Sequence, residues 1–353
     1  MKKFGRAFNH LEDLVFFYGS EGVREAIKHI EEICEDSSSV RMKWDGGLQI
    51  YWGREYVNGP LILTGHNGWA RGSKSTTPDE LYDFIVNQSG KDRENVSEER
   101  KSFANHFASL FPLFDAATPS DFVGFVYADA LYLSKPPIVG DEYNFYPNHT
   151  GYMVHKDTNL GNRIAKSDIL LVGHAYFEAF GLKDDYQIPL DNFDLFNNID
   201  EIIILNPYYS KIDVNVDLRK VKLMNYHHAN YIDRFITPID GVSGFRDYIY
   251  KWVNYTIKTQ SITSFDHWVK RQSFISVHQQ NKIQQRIFDE RSGYNAIVSL
   301  ISHIRFLKNR IIDQLEQNDC EVKAYNPEGW VRYADDTKQF GNIKLVPRDK
   351  WIP

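Results

Sequence analysis

The sequence predicts an α+β protein in which antiparallel sheet with helices is interrupted by a mainly helical segment. Three observations carry this expectation. Short β-prone runs fill much of residues 40–210, the pattern turns helical from about 225 to 318, and the closing stretch "CEVKAYNPEGWVRYADDTKQFGNIKLVPRDKWIP" returns to strands. Sheet on both flanks of a helical middle is what an insertion into one sheet-based domain looks like. The sheet-based domain is therefore assigned to 1–215 and 321–353, and the insertion to 216–320. At 353 residues the chain is long enough for that arrangement or for two domains.

Taken in order, Leu14, Val23, Ile27, Ile30 and Ile33 fall near helical spacing. They predict an amphipathic helix from about Ser20 to Glu35, with Ser20 and Glu21 as its cap. Strands are expected at 40–43, 47–53 and 60–65. Residues 77–113 read as helix, with Thr77 as N-cap and Pro78 at the first helical position, broken by the polar "NQSGKDRENVSEER". "DFVGFVYADALYL" (121–133) predicts two short strands or one long bent one. "EYNFYPNHTGYMVHKD" (142–157) predicts a strand, a Pro-Asn turn and a strand, and "DILLVGHAYFEAF" (168–180) and "DEIIILNPYYS" (200–210) add further strands. "YNAIVSLISHIRFLKNRIIDQLEQN" is the strongest helical pattern in the chain.

Composition excludes several classes. No apolar run approaches the ~20 residues of a membrane span, and "MKKFGRAFNHLEDL" has no apolar core after its basic residues, so no secretory signal is expected. Cys34 and Cys320 make neither a disulfide framework nor a zinc site and fit a reducing, cytoplasmic location. Net charge is −6, but residues 219–310 hold 15 Lys and Arg against 6 Asp and Glu. A basic helical block on an acidic body suits the tracking of phosphates; an ordinary solvated helical surface is the equal alternative.

The chemistry centres on Lys43-Trp44-Asp45-Gly46. β-prone runs flank a tight Asp-Gly-Gly turn, which puts a lysine at a strand end beside backbone N–H groups able to face an anion. A lysine so held can attack the α-phosphate of a nucleotide. Alone, K-x-D-G arises by chance in about one chain in ten of this length, and a surface hairpin is its plain reading. Further pieces lie downstream: Asp129 in "GFVYADALY", the aromatic "YNFYPN", Glu328-Gly329-Trp330-Val331, and Lys344 in "GNIKLV".

In that order the set resembles the motifs of the covalent nucleotidyltransferase superfamily, the ATP-dependent RNA and DNA ligases and the mRNA-capping enzymes. Lys43–Gly46 looks like motif I, Asp129 lies where motif III carries an acid, "YNFYPN" looks like motif IIIa, Glu328–Val331 like motif IV and Lys344 like motif V. The likeness is strongest to phage RNA ligases and a related little-characterised phage family, whose members share "HLEDL…GSEG", "KWDG" and a terminal "KLV-R". It covers about 10–175 and 321–353 and leaves the helical middle unexplained.

The resemblance implies an ATP-grasp-like ligase catalytic core, the flanks forming an adenylation domain. It implies an ATP-dependent RNA ligase that forms a lysyl-AMP on Lys43 and seals 5′-phosphate to 3′-hydroxyl ends of RNA, with DNA as another acceptor. The cofactors implied are ATP and Mg²⁺ or Mn²⁺; a phage protein of this kind works in the host cytoplasm, in RNA repair. Lysine is almost wholly charged at neutral pH, so its attack needs neighbouring positive charge from Lys344, Arg71 or Lys74. Asp45 and Gly46 lie against the nucleotide, Asp129 bonds ribose hydroxyls or helps hold metal, Phe145 or Tyr146 stacks on adenine, and Glu328 is a hard oxygen ligand for the metal. Developing charge on the phosphates needs the metal and cationic side chains.

Two positions depart from the pattern. Leu48 stands where ligase motif I often has arginine, which favours RNA over DNA sealing. Val346 stands where motif V usually has a second lysine, for which Arg348 or Lys338 can compensate. The chain also runs only nine residues past Lys344, so the OB domain of DNA ligases and capping enzymes is not expected. "GHNGWARGSKST" fails as a P-loop because Ser73 separates Gly72 from Lys74. His174 and Asp157 read first as structural, His227-His228 lacks a third metal ligand, and Tyr248, Tyr250, Trp252 and Trp268 read as core. Two other readings stay open: nucleotidyl transfer to nicked DNA or a protein, and a non-catalytic nucleic-acid-binding relative.

Overall fold

A computed structural model describes residues 9–87, 96–183, 186, 188–189, 192–206, 213–317, 321–325, 329–332 and 343–348. The chain is α+β, with antiparallel and mixed sheets and helices. It opens with β1 (Asn9–His10), α1 (Asp13–Glu35), β2 (Val40–Met42), β3 (Leu48–Arg54) and β4 (Ile62–Gly65). Helices α2 (His66–Arg71), α3 (Pro78–Asn87), α4 (Glu98–Ser109) and α5 (Phe111–Ala117) follow. Next come β5 (Gly124–Tyr132), β6 (Ile138–Val139), β7 (Glu142–Phe145), β8 (Gly151–His155), α6 (Asn159–Ile164), β9 (Ile169–Phe177), β10 (Ile188–Pro189) and β11 (Ile202–Leu205). The helical stretch holds α7 (Arg219–Ile236), α8 (Phe245–Thr259), α9 (Phe265–Lys270), α10 (Val277–Asp289) and α11 (Arg291–Glu316). Strands β12 (Val322–Tyr325), β13 (Trp330–Arg332) and β14 (Ile343–Leu345) complete it. Of the two readings of 121–133, two short strands or one long one, the structure has one strand, β5.

Contacts divide the chain into two compact units, and the division differs from the one expected from sequence. One unit comprises Met1–Lys43, Tyr209–Asp319 and Gly329–Pro353; the other comprises Trp44–Tyr208 and Cys320–Glu328. The helical stretch interrupts the second unit in sequence and groups with α1, whose apolar stripe (Val23, Ile27, Ile30, Ile33) lies against α7 and α11.

In the helical unit, α1 begins at Asp13, seven residues before the expected Ser20, and is kinked at Gly19, whose φ of 65° lies in the left-handed region. The cause is Asp233 on α7. The Ser20 N–H and Oγ–H donate to its two carboxylate oxygens at 2.8 and 2.7 Å, and a Cβ on Gly19 would lie 2.3 Å from Asp233 Oδ1. Ser20 therefore starts a helical segment as foreseen, but with a capping carboxylate from another helix. Two basic residues of this stretch satisfy backbone carbonyls: Arg286 Nη1 donates to the carbonyls of Arg234, Phe235 and Thr237, at the end of α7, at 2.7, 3.2 and 3.0 Å. Lys282 donates to Asp240 O at 2.7 Å. For these two residues the charge is structural. A small sheet, in the order β1-β14-β13-β2, completes the unit.

The other unit is built on a six-stranded sheet, β10-β9-β5-β3-β4 with β11 parallel to β9. Alternation along β3 and β5 sends Ile50, Trp52, Val126, Ala128 and Ala130 to one face, where α3, α4 and α5 cover them. Trp52 there meets Phe114 and Phe196 edge-on, with centroids at 5.4 and 5.9 Å; burying such a side chain stabilises by about 1.5–3 kcal/mol. The opposite face carries Tyr51, Trp69, Phe125 and Phe177 toward one end and polar side chains toward the other. A second sheet runs β12-β8-β7-β6. Among the described residues no helix is long and apolar enough to cross a membrane. Cys34 is a half-buried free thiol, and Cys320 lies outside the described residues.

Candidate functional site

Lys43 follows β2 and is half-buried. Its N–H donates to Gly329 O at 2.9 Å, so the strand pairing of β2 with β13 continues one residue past Met42. In that pairing Met42 faces Trp330 and Arg41 faces Val331; Val331 in turn faces Lys344 on β14, and Lys344 faces His10 on β1. The segments expected to carry motifs I, IV and V are therefore neighbouring strands of one sheet, though they come from opposite ends of the sequence. Opposed residues share a face. Val40, Trp330, Arg332, Ile343 and Leu345 form the buried side, and the other side carries Arg41, Lys43, Val331, Lys344 and His10. Gly329 has φ of 94°, and a Cβ there would lie 2.5 Å from Leu345 O and 2.9 Å from Val346 Cα. Backbone crowding and a left-handed φ both require glycine.

The turn after Lys43 is seated in the sheet-based unit. The Asp45 N–H donates to Tyr152 Oη at 2.8 Å, and Asn148 Nδ2 donates to Asp45 Oδ1 at 3.1 Å. Trp44 packs on Tyr152 with centroids 5.0 Å apart. Burial raises the Tyr152 phenol pKa well above its ordinary range. Gly47 N–H donates to Ala130 O at 2.9 Å, and Gly46 lies directly against Asp129.

Asp129 points to the polar end of the large sheet's open face. Gln49 faces it on β3, Tyr127 Oη donates to its Oδ1 at 3.2 Å, and Gln49 Nε2 donates to Tyr127 Oη at 3.0 Å. His174 Nε2 stands 3.1 Å from Asp129 Oδ2, at an angle outside hydrogen-bonding range. His174 reaches it because β9 carries an extra residue here: Ala175 opposes Tyr127 while Gly173 opposes Ala128. A bulge of this kind re-aims a side chain.

The remaining expected residues are dispersed. Phe145 is buried between Tyr132 and Tyr152, at 5.5 and 5.6 Å, and serves the core. Tyr146 is exposed and lines an open cleft of about 910 Å³ with Phe103, Lys135 and Pro147. Arg71 is exposed in the last turn of α2. Lys74 pairs with Glu55 at 2.7 Å, at the far end of β3 from Gln49, about 20 Å along the strand. Arg348 is 8% exposed and donates to Asp13 Oδ1 at 2.6 Å, so it belongs to a buried ion cluster and not to a phosphate site. In that cluster Lys308, fully buried, donates to the fully buried Glu12 at 2.7 Å. Burial alone would raise the Glu12 pKa; Lys308, His10 and Arg348 outweigh it and hold the carboxyl at about 2.

Glu328 and Lys338 lie outside the described residues. Among those described, no group of three or more His, Cys, Asp and Glu is placed to hold a metal ion, and Asp129 is the described carboxylate of the expected pair. Sequence reading passed over Arg41, Gln49, Tyr127 and Tyr152. Alternation would have flagged Arg41, two residues before Lys43, and Tyr127, two before Asp129; Tyr152 carries no local signal.

The model of a family described as "Family of unknown function (DUF6267)" matches residues 110–351. The match covers more than half of the chain, which belongs to that family. No curated protein and no solved structure matches the chain.

Proposed function

For this member of the DUF6267 family, we propose an ATP-dependent RNA ligase that works through a covalent Lys43–AMP intermediate, on a nucleotidyltransferase core. One observation carries the reading: Lys43, Gly329 and Lys344 lie on adjacent strands of one sheet, although chance likeness of three short motifs would not bring them together. The approach of Gly46 to Asp129 gives the same reading separate support.

In this mechanism the neutral Lys43 amine attacks the α-phosphorus of ATP. A P–N bond forms, the bond to the bridging oxygen breaks, pyrophosphate leaves and the amine gives up a proton. Lys344 stabilises charge developing on the phosphates. The acid at 129, oriented by Tyr127, accepts hydrogen bonds from ribose hydroxyls. Glu328, with Asp129 as the alternative to its ribose role, would hold a divalent ion that would neutralise charge on the phosphates. The AMP then passes to a 5′-phosphate, and a 3′-hydroxyl displaces it. Leu48 favours RNA as the acceptor.

Incubation with α-labelled ATP and Mg²⁺ tests the reading. Labelled protein is expected with the native chain and none with Lys43→Ala. An unlabelled native chain, or label that persists in the variant, overturns it. Chasing labelled protein with 5′-phosphorylated RNA or nicked DNA identifies the acceptor; discharge by neither limits the activity to self-adenylylation or another acceptor.

A further inference from the structure

We infer that the open cleft beside Tyr146 takes an unpaired base of the RNA acceptor, stacked on Tyr146 and Phe103, with Lys135 beside the phosphates. The inference deepens the reading of this chain as an RNA ligase and rests on it. Every residue that lines the cleft belongs to the sheet-based unit.

The cleft opens on the helix-covered side of the large sheet. Leu48 and Ala130 oppose each other on β3 and β5, and both line it. Leu48 also packs on the core that α3, α4 and α5 cover. The neighbouring pair, Gln49 and Asp129, points to the opposite face. The sheet thus stands between the cleft and the acid that the mechanism gives to the ATP ribose, which leaves the cleft for the second substrate.

Its walls are two aromatic rings that are both held and open to solvent. Phe103 on α4 is 39% exposed, and Phe107 braces its ring nearly parallel at 6.0 Å. Tyr146, just past β7, is 63% exposed. Its ring leans on Gly151, where a Cβ would come within 2.3 Å of Tyr146 Cε1. Rings fixed in this way offer a face to a base without first losing freedom of their own. His106 Nε2 donates to Leu133 O at 2.7 Å and ties α4 to the end of β5. At about 910 Å³ the cleft falls within the size range of ligand sites.

Charge selects the occupant. Acids outnumber bases in the chain, 47 to 41, yet among the described residues no carboxylate lines the cleft, whereas Lys135 does. Lys135 gives one N–H to Ala165 O. That partner is a neutral carbonyl, so the positive charge stays uncompensated and two donors remain. Such a lining attracts a phosphate chain, which carboxylates would repel. An apolar peptide would gain nothing from it.

The test measures binding of a fluorescent, 5′-phosphorylated RNA of about 12 nucleotides by anisotropy, without ATP. The native chain is compared with Tyr146→Ala, Tyr146→Phe, Phe103→Ala and Lys135→Gln, and an abasic ribose-phosphate chain of equal length serves as second probe. Each alanine variant is expected to weaken RNA binding by at least about fivefold and to leave the abasic probe's Kd as it was. Tyr146→Phe keeps the ring and is expected to bind as the native chain does. Lys135→Gln is expected to weaken both probes alike and to reduce the salt dependence. No RNA binding by the native chain, unchanged affinity in both alanine variants, or equal loss on both probes overturns the inference. So does a raised KM for ATP in Lys43 labelling with RNA affinity intact, which would give the cleft to adenine. If the native chain is never labelled by ATP, the ligase reading falls; losses confined to the RNA probe then keep the cleft as a base-binding site, and their absence removes it.

Discussion

Gly46 and Asp129 approach so closely that a Cβ on the glycine would lie 2.3 Å from the Asp129 Cβ. Nothing larger than glycine fits beside that acid without moving the turn that follows Lys43. Gly46→Ala is therefore expected to destabilise the fold by about 1–3 kcal/mol, the usual range for overpacking. Labelling of Lys43 is expected to fall at least tenfold, since displacement by about 1 Å is costly at a reacting group. Melting temperature and labelling rate, measured on the same preparation, check the pair of effects.

Gly329 is constrained twice, by φ of 94° and by the carbonyl of Leu345. Gly329→Ala is expected to cost more than about 1 kcal/mol from the backbone alone. The loss falls on the pairing of β13 with β2 and β14. Denaturant titration reads it as a lower midpoint.

Lys308 and Glu12 form an ion pair from which water is excluded on both sides. Removing Lys308 leaves the buried Glu12 carboxylate with Arg348 as a remaining cation at 3.3 Å, so Lys308→Met is expected to cost about 3 kcal/mol, the low end for a broken buried pair. The double variant Lys308→Met/Glu12→Gln is expected to be more stable than Lys308→Met, because the carboxylate that lost its nearer cation is gone. A double-mutant cycle in urea gives the coupling directly.

His10 sets a pH dependence whose sign is fixed. Burial is the main cause of a pKa lowered to about 3, with Lys308, Arg348 and Lys344 adding to it against Glu12. The imidazole stays neutral in the fold but takes a proton in the unfolded chain below its ordinary 6.5. The unfolded state thus binds more protons between pH 6.5 and 3, and stability falls as pH drops through that window. His10→Gln is expected to lose less stability over the same range. Urea titrations at intervals from pH 7 to 3 show the difference as a flatter curve.

Local pattern carried much of the fold. The alternation of Ile50 and Trp52 placed β3, and the long apolar stripe from Tyr294 to Leu315 placed α11, because both signals are complete within a few turns or residues. The start of α1 was not legible. Its first turns depend on Asp233, more than 200 residues away, which caps Ser20 from outside. The grouping of α1 with the helical stretch was not legible for the same reason: the apolar face of α1 does not say which helices will cover it. At the candidate site, Lys43 and Asp129 were legible as residue types in a motif. The bulge that turns His174 toward Asp129 depends on an extra residue in β9 relative to β5, and the sequence of one strand does not reveal it. Arg348 misled because an arginine near a motif looks available until its two buried acids are seen.

The small sheet that holds Lys43 also has a consequence in time. Its first two strands end by Met42, and its last two begin at Trp330. During synthesis the first pair has no partner in this sheet until residues 330–345 have emerged, and closing so long a loop is slow. A chain lacking residues after 328 keeps Lys43 but has neither β13 nor β14 to set it against.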